Sequence, residues 1–245
     1  MVNNDESRPS AHAPRAKAFL LAAPEQRLLH AVAARLPARV LPDHLTALGV
    51  VAALGIAAAY VLSNREPAWL LAATALLGVR WLGDSLDGTL ARVRRIERPT
   101  YGYYLDHLVD AFATVAIGVG LGLSPHMLLA TGMAIVVAYL LLSINTYLET
   151  SAFGVFTLGY GRIGPTEARL ALVAINVALA LGAGLGVTVA GLGVTVLDLV
   201  GLVAAGGMVA GLGVRAARNL RVLARKEPAA RAAFVSASER TRPAA

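Results

Sequence analysis

Six long apolar stretches constrain the fold of this chain more than any other feature of its sequence. Each has close to the roughly twenty residues that a helix needs to cross a bilayer, and turns rich in Pro, Gly, Ser or Asn separate them. Only 15% of the residues are charged, against about 25% in soluble domains. The sequence therefore predicts an all-α polytopic membrane protein with six transmembrane helices. The expected spans are residues 46–63, 68–92, 102–122, 127–148, 165–186 and 195–214.

The remaining segments have different compositions. We expect a disordered cytoplasmic tail at residues 1–23, an amphipathic surface helix at 24–40, the six-helix domain at 41–214 and a basic cytoplasmic tail at 215–245. The surface helix is predicted because Leu28, Leu29, Val32 and Leu36 recur at helical spacing among basic residues. Gly-rich residues 185–193 are expected to form a loop. The chain has no cysteine, so disulfides play no part.

Basic residues indicate how the chain is oriented. Of the 22 Lys and Arg residues, 20 lie in the two tails, in the surface helix or at the ends of the predicted spans that face the same side. The other two are Arg65, expected on the opposite side, and Arg80, inside the second span. The positive-inside rule therefore predicts that both termini lie in the cytoplasm. A net charge of +7 in this distribution favours contact with anionic membrane lipid and gives no indication of nucleic-acid binding.

Four aspartates lie close together in this apolar sequence. Asp84 and Asp87 are three residues apart, and Asp106 and Asp110 are four apart, so each pair lies on one face of a helix. If the two helices are neighbours, all four carboxylates converge and repel one another. Divalent cations would resolve this repulsion, and an all-oxygen ligand set suits Mg²⁺, Mn²⁺ or Ca²⁺. Helix capping or pairing with nearby arginines is the alternative interpretation.

The same stretch contains small residues and an arginine at fixed spacing from the aspartates. Gly88 and Ala91 remove side-chain bulk beside the acids, and the guanidinium of Arg92 has a geometry suited to phosphate. With Gly102, these residues complete the pattern D-x2-D-G-x2-A-R followed by G-x3-D-x3-D. This pattern resembles the signature of the CDP-alcohol phosphotransferases (CDP-alcohol phosphatidyltransferases), without departure at any defining position. The chain also resembles that family in having about six apolar stretches.

The resemblance implies an integral-membrane transferase that moves a substituted phosphate from a CDP-alcohol to an alcohol acceptor and releases CMP. It implies two divalent cations, Mg²⁺ or Mn²⁺, held by the aspartates of the motif. By resemblance Asp84, Asp87 and Asp106 are metal ligands and Asp110 is the general base; ligation of the second metal is the other role open to Asp110, and the sequence does not separate the two. Gly88, Ala91, Arg92 and Gly102 would bind the CDP and its diphosphate.

Residues 41–46 also resemble the P-N-x-L-T helix start of many family members, with Asp43 at the usual Asn. This segment is either a helix cap or part of the site.

A second polar cluster follows the fourth span. We expect the acceptor to be bound by residues from this cluster, namely Glu149, Tyr160, Arg162, Glu167 and Arg169. The acids with a tyrosine would hold an ammonium group by charge and cation–π contact, whereas Arg162 and Arg169 would hold an acceptor phosphate. Plain helix capping is the alternative. Gly-Pro-Thr-Glu resembles the corresponding helix start of choline and ethanolamine phosphotransferases, which favours a neutral or amino alcohol.

The compact chain resembles bacterial enzymes of phospholipid synthesis that use CDP-diacylglycerol, which implies the bacterial cytoplasmic membrane. The alternatives are a phosphotransferase that moves choline or ethanolamine phosphate from its CDP ester to diacylglycerol, and a cation-coupled membrane transporter. Small residues in the third span, Gly118, Gly120 and Gly122, are compatible with a homodimer.

Overall fold

The computed structural model describes residues 22–153, 165–182, 186–189 and 192–227. Seven helices and one short hairpin make up this part of the chain, which confirms the all-α class. The helices are α1 (Ala22–Arg35), α2 (Pro42–Leu62), α3 (Trp69–Arg94), α4 (Pro99–Gly122), α5 (Leu129–Phe153), α6 (Pro165–Ala180) and α7 (Val196–Lys226). The predicted tail at 1–23 lies almost entirely outside the described residues, as do residues 228–245.

Four helices of the described residues, α2, α4, α5 and α7, are long and apolar enough to cross a membrane. The chain is therefore an integral membrane protein by length and composition, but six spans are not confirmed. Helix α3 has 26 residues yet carries Arg80, Asp84 and Asp87, which lower its hydropathy. Helix α6 has 16 residues, and its apolar part is limited to Arg169–Ala180.

Two predicted boundaries after the fourth span are wrong. The fifth span was expected to reach residue 186, but α6 ends at Ala180 and Gly182 then adopts φ +87°, a conformation that terminates helices. The segment at 185–193 was expected to be a loop, yet β1 (Gly186–Val189) pairs antiparallel with β2 (Leu192–Thr195). Three of the eight strand residues are valine and two are threonine, and β-branched residues favour extended backbone.

The C-terminal helix is longer than the sequence indicated. The sixth span was expected to end at residue 214, but α7 continues to Lys226 through part of the predicted basic tail. Arg, Leu, Ala and Lys dominate these residues and are good helix formers. Arg225 and Lys226 in the last turn also complement the negative end of the helix dipole. The transmembrane segment and part of the basic tail are thus one continuous helix.

The first helix packs on the rest of the chain. Leu29 and Ala33 of α1 are buried with Leu86 and Leu90 of α3, whereas Leu28 is 52% exposed. The indole N–H of Trp81 donates a hydrogen bond of 2.8 Å to the carboxylate of Glu25. A helix thus occupies Ala22–Arg35 and ends five residues before the predicted boundary at residue 40, and its amphipathic character is not confirmed. Its proposed place on the membrane surface is not confirmed.

The connector between α1 and α2 is held by one arginine of α3. The Arg94 guanidinium donates hydrogen bonds to the backbone carbonyls of Leu36 and Pro37, at 2.9 and 2.8 Å, and also to those of Ala38 and Val40. These bonds satisfy carbonyls that no helix pairs. They fix the start of α2 beside the end of α3.

Glycines bring the helices close together. A Cβ added at Gly83 of α3 would lie 2.7 Å from the carbonyl oxygen of Leu45 in α2, and one at Gly120 of α4 would lie 2.5 Å from Cα of Ala57. Both glycines therefore allow backbone-to-backbone packing around α2. The Cβ positions of Gly118 and Gly122 meet Val136 and Leu129 of the same chain. These three glycines are thus used in packing within one chain, and a homodimer is not shown.

Candidate active site

Three carboxylates from two helices converge in the structure. Asp84 of α3 and Asp106 and Asp110 of α4 each offer an oxygen, and these oxygens lie within 4.8 Å of one another. Asp106 and Asp110 share a helix face because they are one turn apart. Close packing of α2 with both α3 and α4 brings the two helices to a common site. These carboxylates form an all-oxygen donor set that fits a hard divalent cation such as Mg²⁺ or Mn²⁺.

The fourth aspartate of the motif has a separate environment. Asp87 lies one turn after Asp84, and its Oδ2 accepts a hydrogen bond of 2.7 Å from the hydroxyl of Thr46 in α2. Its other oxygen accepts 2.6 Å from the backbone N–H of Gly88. The structure thus brings three of the four predicted aspartates together and holds the fourth beside them. The threonine of the segment at residues 41–46 contacts the motif directly.

Two arginines make ion pairs with the converging carboxylates. Nη2 of Arg80 lies 2.8 Å from Oδ1 of Asp110, and the Arg80 side chain is only 11% exposed. Nη2 of Arg169 in α6 lies 3.5 Å from Oδ2 of Asp84. Since each guanidinium offsets negative charge, the cluster is less repulsive than three unpaired carboxylates would be. Arg169, predicted for the acceptor, therefore lies at the aspartates themselves.

The small residues and Arg92 follow the aspartates along α3. Gly88 lies beside the Arg92 guanidinium, since a Cβ at this glycine would be 3.3 Å from Nη1. Nη2 of Arg92 donates to the hydroxyl of Thr89 at 3.1 Å. Ala91 is partly buried, and a Cβ at Gly102 would meet no atom within 4 Å. Gly102 therefore faces open space in the described structure, so a methyl group there would be accommodated.

A family model for CDP-alcohol phosphatidyltransferase matches residues 39–213, which is well over half of the chain. The chain belongs to this family. The match begins just before α2 and ends within α7, so it contains the whole acidic cluster and leaves α1 outside. No curated protein matches the chain significantly. Membership in the CDP-alcohol phosphatidyltransferase family confirms the resemblance drawn from the motif, and it identifies the chain as a transferase.

Within this CDP-alcohol phosphatidyltransferase, Glu149 has a different environment from the one expected of an acceptor-binding residue. Its side chain is 8% exposed and pairs with Arg215 of α7. Oε1 also accepts hydrogen bonds from Asn145, at 2.9 Å, and from Asn219. A buried carboxylate with this many donors joins α5 to α7. Glu149 thus lies in a helix–helix contact.

The other predicted acceptor residues are not described. Tyr160 and Arg162 lie outside the described residues, and so does the side chain of Glu167.

An aromatic contact lies beside the acidic cluster of this transferase. The His107 ring stacks 4.1 Å from Tyr103 and meets the edge of Tyr147 in α5 at 4.9 Å. Nδ1 of His107 lies 2.6 Å from the backbone oxygen of Tyr103 and 3.8 Å from Asp106. These contacts join α4 to α5 next to Asp106.

A surface ion pair joins the starts of α2 and α4. Asp43 pairs with Arg98, and the guanidinium of Arg98 also lies 4.0 Å from the ring centre of Tyr101. The hydrogen bond to Asp43 raises the pKa of Arg98 above its ordinary value. Asp43, which takes the place of the usual Asn in the family's helix start, is therefore paired with Arg98 in this chain.

Sequence reasoning missed the partners of the aspartates. Thr46, Arg80 and Arg169 lie 41, 30 and 85 residues from the carboxylates that they contact. The presence of an arginine inside the second predicted span was a signal for Arg80, because such a charge needs a partner. For Thr46 the resemblance of residues 41–46 to the family's helix start was the only indication.

Proposed function

We propose that this protein transfers the phosphatidyl group of CDP-diacylglycerol to the hydroxyl of an alcohol acceptor, with release of CMP, in phospholipid synthesis. The observation that carries the proposal is the convergence of Asp84, Asp106 and Asp110 within 4.8 Å, inside the region that matches the family. Family membership favours this reaction over a cation-coupled transporter. No contact of the described residues favours a transfer of choline or ethanolamine phosphate to diacylglycerol.

Divalent cations, Mg²⁺ or Mn²⁺, belong to this proposal. Asp84, Asp106 and Asp110 would hold them, and Asp87 would complete a two-ion site from its position one turn along α3. When bound, such cations neutralise the diphosphate and stabilise the charge on the attacking and leaving oxygens. Thr46 orients the Asp87 carboxylate, while Arg80 and Arg169 offset part of the negative charge.

Asp110 acts as the general base in the proposed reaction. It accepts the proton of the acceptor hydroxyl, whose oxygen attacks the phosphorus that carries the diacylglycerol. A new P–O bond forms, the P–O bond to the CMP phosphate breaks, and CMP leaves with the electron pair. Arg92 binds the diphosphate, and Gly88, Ala91 and Gly102 leave room for the nucleotide. A base near its target contributes on the order of 10²- to 10⁴-fold to such a reaction.

The acceptor that we propose carries an anionic group. Arg169 pairs with Asp84 at 3.5 Å, so a guanidinium stands at the edge of the aspartate cluster, and a cation held by Asp84 would compete with it for that carboxylate. The carboxylate of Glu149, in contrast, is paired with Arg215 and does not offer itself to an ammonium group. These contacts favour a phosphorylated alcohol over the neutral or amino alcohol that the sequence favoured. Tyr160, Arg162 and Glu167 remain predicted to line the same region.

The orientation is proposed from charge. The location of 20 of the 22 basic residues in the tails and on one side of the predicted spans supports a cytoplasmic site and cytoplasmic termini. A cytoplasmic site also fits a cytidine nucleotide as product. We place the protein in a bacterial cytoplasmic membrane because the compact chain resembles bacterial enzymes that use CDP-diacylglycerol.

Release of CMP by purified protein in detergent tests the proposal. CDP-diacylglycerol with Mg²⁺ or Mn²⁺ is incubated with inositol phosphate, glycerol phosphate, serine, ethanolamine or choline. Diacylglycerol with CDP-choline or CDP-ethanolamine is assayed in parallel. We expect metal-dependent release with a phosphorylated acceptor, and a loss of at least about 10²-fold in Asp110→Asn.

The matched control is Asp43→Asn, the same chemical change in an exposed ion pair of small energetic value. This variant should retain activity. Undiminished release by Asp110→Asn would remove Asp110 as the base. No release from any combination, by folded protein with metal, would contradict the transferase.

A further inference from the structure

Arg80 is a charged residue that the family motif does not include. It lies in α3 one turn before Asp84, within the apolar part of the helix, and its side chain is 11% exposed. A guanidinium in such surroundings costs free energy unless it is paired. The sequence thus places a cation where packing alone gives no reason for one.

The partner of Arg80 is the proposed base. Nη2 of Arg80 donates a hydrogen bond of 2.8 Å to Oδ1 of Asp110, across the space between α3 and α4. The Asp110 side chain is 36% exposed, so one side of the carboxylate remains open. A charge-assisted bond to one oxygen restricts rotation of the carboxylate. The second oxygen is then held in a defined direction.

We infer that Arg80 is a positioning residue, which holds Asp110 by one oxygen so that the other oxygen receives the proton of the acceptor hydroxyl. This inference rests on the proposed function. Arg80 is assigned no contact with the substrate and acts through Asp110. Its effect is on orientation, which matters because a displacement of about 1 Å can cost on the order of 10²-fold in rate.

The inference separates turnover from metal binding. Removing Arg80 frees Asp110 to rotate, so kcat falls. It also removes a positive charge that competes with a cation for the Asp110 carboxylate, while Asp84 and Asp106 still offer their oxygens, so the affinity for a divalent cation stays the same or rises. A merely structural role would lower both together, since a distorted cluster binds metal less well.

The experiment compares Arg80→Met and Arg80→Lys with Arg65→Met, the same change at the exposed turn between α2 and α3. CMP release gives kcat and KM, and Mn²⁺ binding is measured by electron paramagnetic resonance without substrate. For Arg80→Met we expect kcat to fall on the order of 10- to 100-fold. KM for CDP-diacylglycerol should stay within about threefold of the value for the unaltered chain, because the lost interaction acts only in the transition state. The affinity for Mn²⁺ should not weaken. Arg80→Lys should recover part of kcat, and Arg65→Met should match the unaltered chain.

A double variant tests whether Arg80 acts through Asp110. On the Asp110→Asn background, Arg80→Met should lower kcat no further, because the two changes remove the same contribution. The double variant also removes both charges of the pair, so it is expected to fold even if Arg80→Met alone does not. Independent, multiplicative losses would overturn the inference.

Three other results would also overturn it, namely unchanged kcat in Arg80→Met, weakened Mn²⁺ binding in that variant, or no recovery with lysine. Absence of CMP release by the unaltered chain would instead contradict the proposed function. Release by the unaltered chain with undiminished release by Arg80→Met would contradict this inference alone.

Discussion

At the scale of single residues, Asp87 is distinguished from the other aspartates of the motif by its partner in α2. Thr46 is 9% exposed, and its hydroxyl lies 2.7 Å from the Asp87 carboxylate. The same hydroxyl also lies 3.3 Å from the carbonyl of Pro42, one turn earlier. A single threonine therefore connects the start of α2 with the motif in α3. The direction of the Asp87 carboxylate depends on this hydroxyl.

Thr46→Val tests that dependence, because valine keeps the shape of threonine and lacks the hydroxyl. A hydrogen bond to a charged group contributes about 1.5–3 kcal/mol, so we expect kcat/KM to fall on the order of 10-fold and Mn²⁺ affinity to weaken. Both are measured by CMP release and Mn²⁺ titration. Thr46→Ser, which retains the hydroxyl, should stay within about threefold of the unaltered chain. Equal losses in the two variants would point to packing instead of the hydrogen bond.

The sequence predicted the residues of the site better than their contacts. Spacing alone placed Asp106 and Asp110 on one face of a helix, and the structure has their oxygens within 4.8 Å of each other and of Asp84. Spacing does not reveal which helices are neighbours. The pairs Arg80–Asp110 and Arg169–Asp84 depend on that arrangement, so they could not be predicted.

At the scale of helices, the packing of α2 against α3 depends on a glycine. Gly83 stands directly before Asp84, and a Cβ at this position would meet the backbone of both Leu45 and Gly49. Backbone atoms cannot move aside as a flexible side chain can. The distance between α2 and α3, and with it the reach of Thr46 to Asp87, is therefore limited by the absence of a side chain at residue 83.

Gly83→Ala should consequently destabilise the protein by about 1–3 kcal/mol, because overpacking separates the two helices. Gly78→Ala is the matched control, since a Cβ at Gly78 of the same helix would meet no atom within 4 Å. That control should be neutral or more stable by about 0.5–1 kcal/mol, the difference in helix propensity. Thermal unfolding in one detergent compares them. Similar destabilisation by both changes would show that the close approach at Gly83 has no energetic effect.

Helix-level features of the sequence were predicted unevenly. The start of α2 at Pro42 follows from the usual preference of proline for the first turn, whereas α4 starts at Pro99, three residues before the predicted start at 102. The α5–α7 contact through Glu149 could not be predicted, since Arg215 and Asn219 follow 66 and 70 residues later. Glu149 was therefore assigned to the acceptor from its place beside other polar residues. The surroundings of Glu149 depend instead on the packing of α5 against α7, two helices that are distant in the sequence.

At the scale of the whole molecule, the difference between the six predicted spans and the four helices that are long and apolar enough to cross a membrane lies in α3 and α6. Both helices carry charge that lowers their hydropathy, yet α3 has 26 residues and α2 packs along it. The charged residues of α3 are paired with other parts of the chain, as Arg80 is with Asp110 and Asp84 with Arg169. Hydropathy counts such residues as if they were exposed to lipid. Pairing reduces that cost, so we expect α3 to cross the membrane.

The absence of cysteine makes this expectation testable with single introduced thiols. Arg65→Cys lies in the turn before α3 and Ile96→Cys in the turn after it, and both positions are exposed. If α3 crosses with its end in the cytoplasm, an impermeant maleimide added to intact cells labels Arg65→Cys alone. Both should react after lysis. Labelling of both from the same side would contradict a crossing by α3, and labelling of Ile96→Cys alone would reverse the orientation.

The length of α7 has a consequence for the depth of the acidic cluster in the bilayer. Its 31 residues extend about 46 Å, whereas the hydrocarbon layer is about 30 Å thick. The excess is the final third, which is rich in arginine and must remain among headgroups and water. This fixes the position of α7 along the membrane normal. The Glu149–Arg215 pair joins α7 to α5, and α5 contacts α4, which carries Asp106 and Asp110. The boundary between the apolar and the basic part of α7 thus sets the depth of the carboxylates in the bilayer.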